Sequence, residues 1–175
     1  MNQYCHRHAT LNDLPAIVAI YNSTIASREV TADLEPVSLE SRLSWFHEHD
    51  CLRRPLWIIE RFEDGIREHE ILGWMSYSNF YGRPAYGATV ELSIYIATHW
   101  RGKGIGRYCV KQAIDYAPTI AVHTLLGFIF AHNLASLALF EKLGFSSWGH
   151  LPRVANLDGI ERDLIIVGKH IDQIS

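Results

Sequence analysis

A chain of 175 residues suits one domain with room for a proper core, and 48% hydrophobic against 20% charged residues excludes a disordered one. A net charge of −3 lacks the strongly basic balance that marks a nucleic-acid binder. No apolar run approaches the ~20 residues of a membrane span, and Met1-Asn2-Gln3-Tyr4-Cys5-His6 contains no apolar signal core.

Residues Tyr4 to Ala9 read as a first strand. Thr10 starts a helix, with Asp13 three residues on in a capping-box pattern. Leu14, Ile17, Val18 and Tyr21 recur at helical spacing and give that helix one buried face. Ser27 to Pro36 is polar and irregular. Ser38 caps a second helix through Leu39, Leu43 and Phe46. Leu56 to Glu60 and Glu70 to Tyr77 are strand-like, and Glu63-Asp64-Gly65 predicts a turn that makes them a hairpin. Phe80 to Gly87 is a loop rich in aromatics, glycine and proline. Val90 to Ile96 is the clearest strand in the chain. Arg101 to Gly106 is glycine-rich, and a helix runs on to about Tyr116. Val122 to Phe130 predicts a strand. A helix begins at Asn133 and stops at Gly144. Phe145 to Leu151 and Ile160 to Val167 close the chain as strands. No repeat or linker interrupts this order. It predicts a single cytoplasmic α/β domain over residues 1–175, with a mixed sheet and helices on its faces.

Cys5, Cys51 and Cys109 form no CxxC pair and no even set, which fits a reducing compartment. His6/His8 and His47/His49 are spaced i, i+2. No Cys or carboxylate cluster completes a site around them, so no metal is expected.

The segment that carries chemistry is strand, then Arg101-Gly102-Lys103-Gly104-Ile105-Gly106, then helix. Three glycines in five residues let a backbone approach a ligand closely. The helix N-terminus beyond them offers free N–H groups and favours anions. Arg101, Lys103 and Arg107 add positive charge. In physical terms this is a pyrophosphate cradle. It is neither a Walker A loop nor a dinucleotide GxGxxG, because the spacing fits neither.

The cradle has company. Val90-Glu91-Leu92-Ser93-Ile94-Tyr95-Ile96 precedes it, and Asn133-Leu134-Ala135-Ser136 follows, opening a helix that ends Gly144-Phe145. In that order the three segments resemble the GNAT acetyltransferase superfamily, over nearly the whole chain. Arg83-Pro84-Ala85-Tyr86 before the strand is similar to the phosphinothricin and methionine sulfoximine N-acetyltransferases. So are Leu151-Pro152-Arg153-Val154 with Asp158-Gly159 and Arg162-Asp163, Tyr21-Asn22 closing the first helix, and Trp45-Phe46 in the second. The resemblance implies a GNAT fold with a mostly antiparallel central sheet and helices on both faces. It implies acetyl-CoA as cosubstrate, a small amino acid analogue as acceptor, no nucleic-acid or membrane partner, and a homodimer. The aromatics between residues 74 and 86 fit such an interface.

The resemblance also implies roles. Gly102, Gly104 and Gly106, with Ile105, Arg101, Lys103 and Arg107, receive the CoA pyrophosphate. Ile94, Tyr95 and Ile96 present backbone groups to the pantetheine arm where their strand splays from its neighbour. One such N–H polarises the thioester carbonyl. Asn133 and, more weakly, Ser136 contact pantetheine or the acetyl group; the plain alternative for Asn133 is a helix N-cap. Glu91 is a carboxylate in an otherwise apolar strand, on one side with Ser93 and Tyr95. It reads as the general base, against the alternative of a salt bridge at a strand end. Arg83 can fork onto a carboxylate or phosphinate, with Tyr81, Tyr86 and Ser93 adding hydrogen bonds. The alternative there is a surface loop with one charge.

One departure stands out. Many GNAT enzymes carry Tyr where Phe140 stands, and Phe cannot protonate a leaving thiolate. Three rival functions share the CoA site: a protein N-terminal acetyltransferase, an acetyltransferase for another small amine such as a polyamine, and a non-catalytic acyl-CoA sensor.

Overall fold

Thr10 and Asp13 make the first corner. In the computed structural model, which describes residues 3–63 and 66–172, β1 (Tyr4–His8) stops just before them. The Asp13 carboxylate accepts from the Thr10 N–H at 2.7 Å and from its hydroxyl at 2.9 Å. A short 3-10 turn over Leu11–Asp13 leads into α1 (Leu14–Ile25), with Pro15 in the first turn, where no N–H is needed. Arg7 holds Asp13 through two bonds of 2.7 Å and reaches the buried Glu60 at 2.9 Å. Hydrogen bonding to the Arg7 guanidinium drives the Asp13 carboxyl down to about 2. α2 (Leu39–His47) is capped by Ser38, whose Oγ accepts from the Ser41 N–H at 3.1 Å. None of its residues is fully buried.

β2 (Leu56–Glu63) and β3 (Ile66–Asn79) form the expected hairpin; Asp64 and Gly65 of its turn lie outside the described residues. β3 runs past Tyr77 because β4 (Thr89–Ile96) continues to pair with the polar Ser78 and Asn79. α3 (Ile105–Tyr116), β5 (Thr124–Phe130) and α4 (Leu134–Lys142) follow. The chain closes with β6 (Ser146–Leu157) and β7 (Ile160–His170). β6 was expected to end at Leu151. It continues through Pro152 because it is an edge strand, where a missing N–H breaks no inner ladder, and its register slips between Leu151 and Ala155.

The seven strands lie in the order β1-β2-β3-β4-β5-β7-β6. Each neighbouring pair is antiparallel except β4 and β5, which run parallel. Alternation along β2 divides the core between the faces. Ile58 packs with Trp74 and with Ile17, Ile20 and Ile25 of α1. Trp57 and Ile59 pack with Ile105, Cys109 and Val110 of α3 on the other face. The α/β class, the mixed sheet and the helices on both faces agree with the sequence reading. The aromatics of residues 74–86 do not all face outward: Trp74 and Tyr77 are buried, while Tyr81 and Tyr86 are exposed.

Candidate active site

β4 and β5 pair only from Thr89 to Glu91, against Thr124 to Leu126. Beyond that point β4 pairs with β3 alone and β5 with β7 alone. The strands part like a wedge, and α4 fills the angle. Phe140 packs so tightly over Gly127 that a Cβ there would lie 3.3 Å from its ring. Leu139 sits against Gly106 in the same way, 2.9 Å from where a Cβ would be. A Cβ at Gly127 would require the Val167 and Phe140 side chains to give by a few tenths of an ångström, and one at Gly106 would require the end of the Leu139 side chain to shift.

The parting exposes backbone groups of Leu92 to Ile96 that have no strand partner on the β5 side. They face a cleft of about 160 Å³ lined by Glu91, Ile94, Ile96, Phe128, Asn133 and Phe140. Past Ile96, Gly106 and Ser136 it widens into a cavity of about 390 Å³ that reaches Arg101, Gly102, Gly104 and Arg107. Gly102 and Gly104 have φ of +75° and +86°, a region costly for most side chains, and a Cβ on either would meet open space. The Tyr4 hydroxyl donates to the Lys103 carbonyl at 2.6 Å and pins the loop. Tyr108 N–H bonds Gly104 O at 3.0 Å, so the N–H groups ahead of it at the mouth of α3 lack helical partners.

Not every residue of the loop faces the cavity. Ile105 is 1% exposed, and its side chain anchors α3 in the core. The Lys103 ammonium lies over the Trp100 ring, 4.1 Å from its centroid. Asn133 is the N-cap of α4, accepting from the Ser136 N–H at 3.1 Å. Its Nδ2 donates to the Glu29 carbonyl at 3.1 Å and ties in the irregular segment after α1. Glu29 and Val30 line the cleft, a contribution hidden in a stretch without periodicity.

Glu91 stands at the vertex, the last residue of β4 to pair with β5. It forms no ion pair among the described residues. Burial alone pushes its carboxyl above the ordinary glutamate value. Ser93 and Tyr95 follow on the same side and open onto a second pocket of about 110 Å³. That pocket lies between α1, α2 and the sheet, and Tyr21, Arg42, Trp45, Trp74 and Ser76 complete it. Ser93 and Tyr95 line both spaces, so they form the wall between pocket and cleft. Arg42 and Ser76 were not singled out in the sequence. The one hint was Arg42 three residues before Trp45, on one helix face.

Tyr81, Arg83 and Tyr86 are not gathered with Glu91. All three are exposed on the loop between β3 and β4 and line neither pocket nor cleft. The loop is held at its base by the buried Arg54, which donates to Asn79 Oδ1 at 2.6 Å and to the Gly87 carbonyl at 2.8 Å. No cysteine is placed as a nucleophile: burial pushes the Cys109 thiol up to about 12, and Cys5 and Cys51 line neither space. Among the described residues no three His, Cys, Asp or Glu side chains gather as a metal site.

A model of the acetyltransferase (GNAT) domain matches residues 5–146. The Bacillus subtilis (strain 168) protein named "Putative phosphinothricin acetyltransferase YwnH" is 50% identical over 165 residues, 94% of this chain and 98% of that protein. An L-methionine sulfoximine/L-methionine sulfone acetyltransferase of Pseudomonas paraeruginosa is 32% identical over 95% of this chain and 94% of its own length. The Salmonella typhimurium yncA structure, solved with its cofactor acetyl-CoA, superposes with a TM-score of 0.84 at 28% identity, over 99% of this chain and 97% of that one. The chain belongs to the GNAT acetyltransferase family. It is an N-acetyltransferase, and its acetyl donor is acetyl-CoA.

Proposed function

We propose that the chain transfers the acetyl group of acetyl-CoA to the α-amino group of a small amino acid analogue, phosphinothricin and methionine sulfoximine being the leading acceptors. The observation that carries this reading is the placing of Glu91. A carboxyl raised by burial lines the acyl cleft two residues before Ser93, which lines both the cleft and the small pocket, and the names of the relatives supply the acceptor class.

The donor fits the residues present. Open space at Gly102 and Gly104, the free N–H groups of α3, and the Arg101 and Arg107 guanidiniums suit a pyrophosphate. The wedge between β4 and β5 suits a linear arm, held by the unpaired backbone of Ile94 to Ile96. Acetyl-CoA supplies the acetyl group as an activated thioester. Glu91, directly or through a water, removes the proton from the acceptor's ammonium, which exposes the nitrogen lone pair for attack. An N–H on the open edge of β4 stabilises the charge that develops on the carbonyl oxygen. Phe140, buried against Gly127, supplies no proton; a thiol of pKa ~8.5 leaves acceptably as an anion. Attack is direct in this reading: among the described residues no Ser or Cys side chain in the cleft is hydrogen-bonded to a base.

An acetylation screen over amino acid analogues, polyamines and peptide N-termini tests the acceptor class. Amino acid analogues are expected to lead. A preference for spermidine or a peptide over every analogue would overturn the acceptor and leave the donor site standing.

The chain works as a cytoplasmic homodimer in this reading. Trp148, Leu151, Val154 and Ile160 are exposed on the β6–β7 hairpin, where a second copy of the chain would cover them. Light scattering is expected to give the mass of two 20.0 kDa chains. A dilution-insensitive monomer would remove the dimer.

A further inference from the structure

The small pocket contains a hydroxyl with nothing to bond. Ser76 is 1% exposed, and its Oγ has no hydrogen-bond partner among the described residues. Buried polar groups are almost always satisfied, and an exception asks for a missing partner. Ser93 lies directly opposite Ser76 in the β3–β4 register. Side chains so placed share one face, with Cβ atoms about 4.5–5.5 Å apart. Ser76 and Ser93 are therefore neighbours on a floor that both residues line, without a hydrogen bond between them.

The walls are aromatic. Trp74 stacks on Tyr95 with centroids 4.5 Å apart, and Trp45 meets Trp74 edge-on at 5.5 Å. Arg42 also lines the pocket, its guanidinium 4.6 Å from the Tyr21 ring centroid and 3.1 Å from Asp33. The volume of about 110 Å³ is that of about four waters at ~30 Å³ each. A methyl group and a tetrahedral centre with its oxygens fill such a space. An extended polyamine or a peptide does not fit inside it.

We propose that this box is the acceptor's side-chain subsite, in which Ser76 and Ser93 select a tail ending in a sulfur- or phosphorus-bound oxygen over an apolar tail of the same shape. The proposal rests on the amino acid acceptor read above. A bound oxo oxygen gives the Ser76 hydroxyl its missing acceptor. A thioether tail seals the box and leaves that hydroxyl buried and unpaired. Sites built to bond a substrate's polar group discriminate in this way against the analogue that lacks it.

L-Methionine sulfone and L-methionine differ by two oxygens and make a clean pair of probes. The ratio of their kcat/KM values should favour the sulfone in the parent enzyme. In Ser76→Ala the sulfone should lose about 3- to 10-fold, the range of one neutral hydrogen bond. Methionine should be unchanged or improve, since no orphaned hydroxyl remains, and the KM for acetyl-CoA should not move. Ser93→Ala provides a second measurement of the same ratio should Ser76→Ala fold poorly. An unchanged ratio in an active variant would overturn the subsite. A parent enzyme that acetylates neither probe but does acetylate a polyamine or peptide would overturn the amino acid reading beneath it, a different failure in the same assay.

Discussion

Glu91→Gln is expected to lower turnover at pH 7 by about 10²- to 10⁴-fold, the usual contribution of a positioned general base, and to leave acetyl-CoA binding intact. Gln is nearly isosteric, so the wedge between β4 and β5 keeps its shape. It has no lone pair basic enough to take the ammonium's proton. The deficit should shrink as pH rises, because free amine then forms without help. In the parent enzyme the acid limb of the pH–rate profile should lie above the ordinary glutamate range, since burial raises this carboxyl. That limb should vanish in the variant. Near-normal turnover in Glu91→Gln would leave the base to another group.

The same substitution carries a second, opposite signature. A carboxyl whose pKa is raised on folding binds its proton more tightly in the native than in the unfolded chain. Its favourable contribution is complete below the unfolded value of 4.5 and is lost as pH rises through the folded value. Gln does not titrate. Glu91→Gln should therefore melt higher than the parent at pH 7, and the two should converge as pH falls below 4.5. A group retained for packing would lose stability on replacement. A gain in melting temperature together with a loss of turnover marks one kept for chemistry at the expense of stability.

How much of this was legible beforehand depends on the range of the signal. The Thr10–Asp13 corner, the Ser38 cap and the Gly144 stop are local, each fixed by residues three or four apart. The element order followed from them and from hydrophobic periodicity. Glu91 was legible because a carboxylate breaks an apolar strand, and the glycine loop because its spacing is dense. The small pocket beside the cleft was legible only in Ser93. Tyr21, Arg42, Ser76 and Ser93 come from α1, α2, β3 and β4, and only the sheet register and the packing of two helices join them. Ser76 taken alone is an ordinary small residue in a strand. It acquires meaning from being buried, unpaired and opposite Ser93. Arg83 was legible from its motif as a candidate, and its position is fixed at longer range: it is exposed on the β3–β4 loop, whose base Arg54 anchors through Asn79 and the Gly87 carbonyl.

Acetyl-CoA at about 100 times its dissociation constant should stabilise the enzyme by about 2.7 kcal/mol by mass action, a melting shift of about 5–11 °C for a domain of this size. Gly104→Asp is expected to abolish that shift. Position 104 caps α3 with φ of +86°, a region that Asp enters more readily than most residues, and an added Cβ meets nothing within 4 Å. The free protein should therefore stay folded, at a cost of roughly 1–2 kcal/mol for the left-handed backbone. The carboxylate would occupy the mouth of the helix, take up the N–H groups a pyrophosphate needs, and repel that group's charge. Gly104→Asn has the same shape and the same backbone tolerance without the charge, so it should keep part of the shift. The difference between the two variants then measures electrostatics, and the loss common to both measures bulk. A full shift in Gly104→Asp would move the pyrophosphate away from the α3 mouth, and with it the orientation of the thioester toward Glu91.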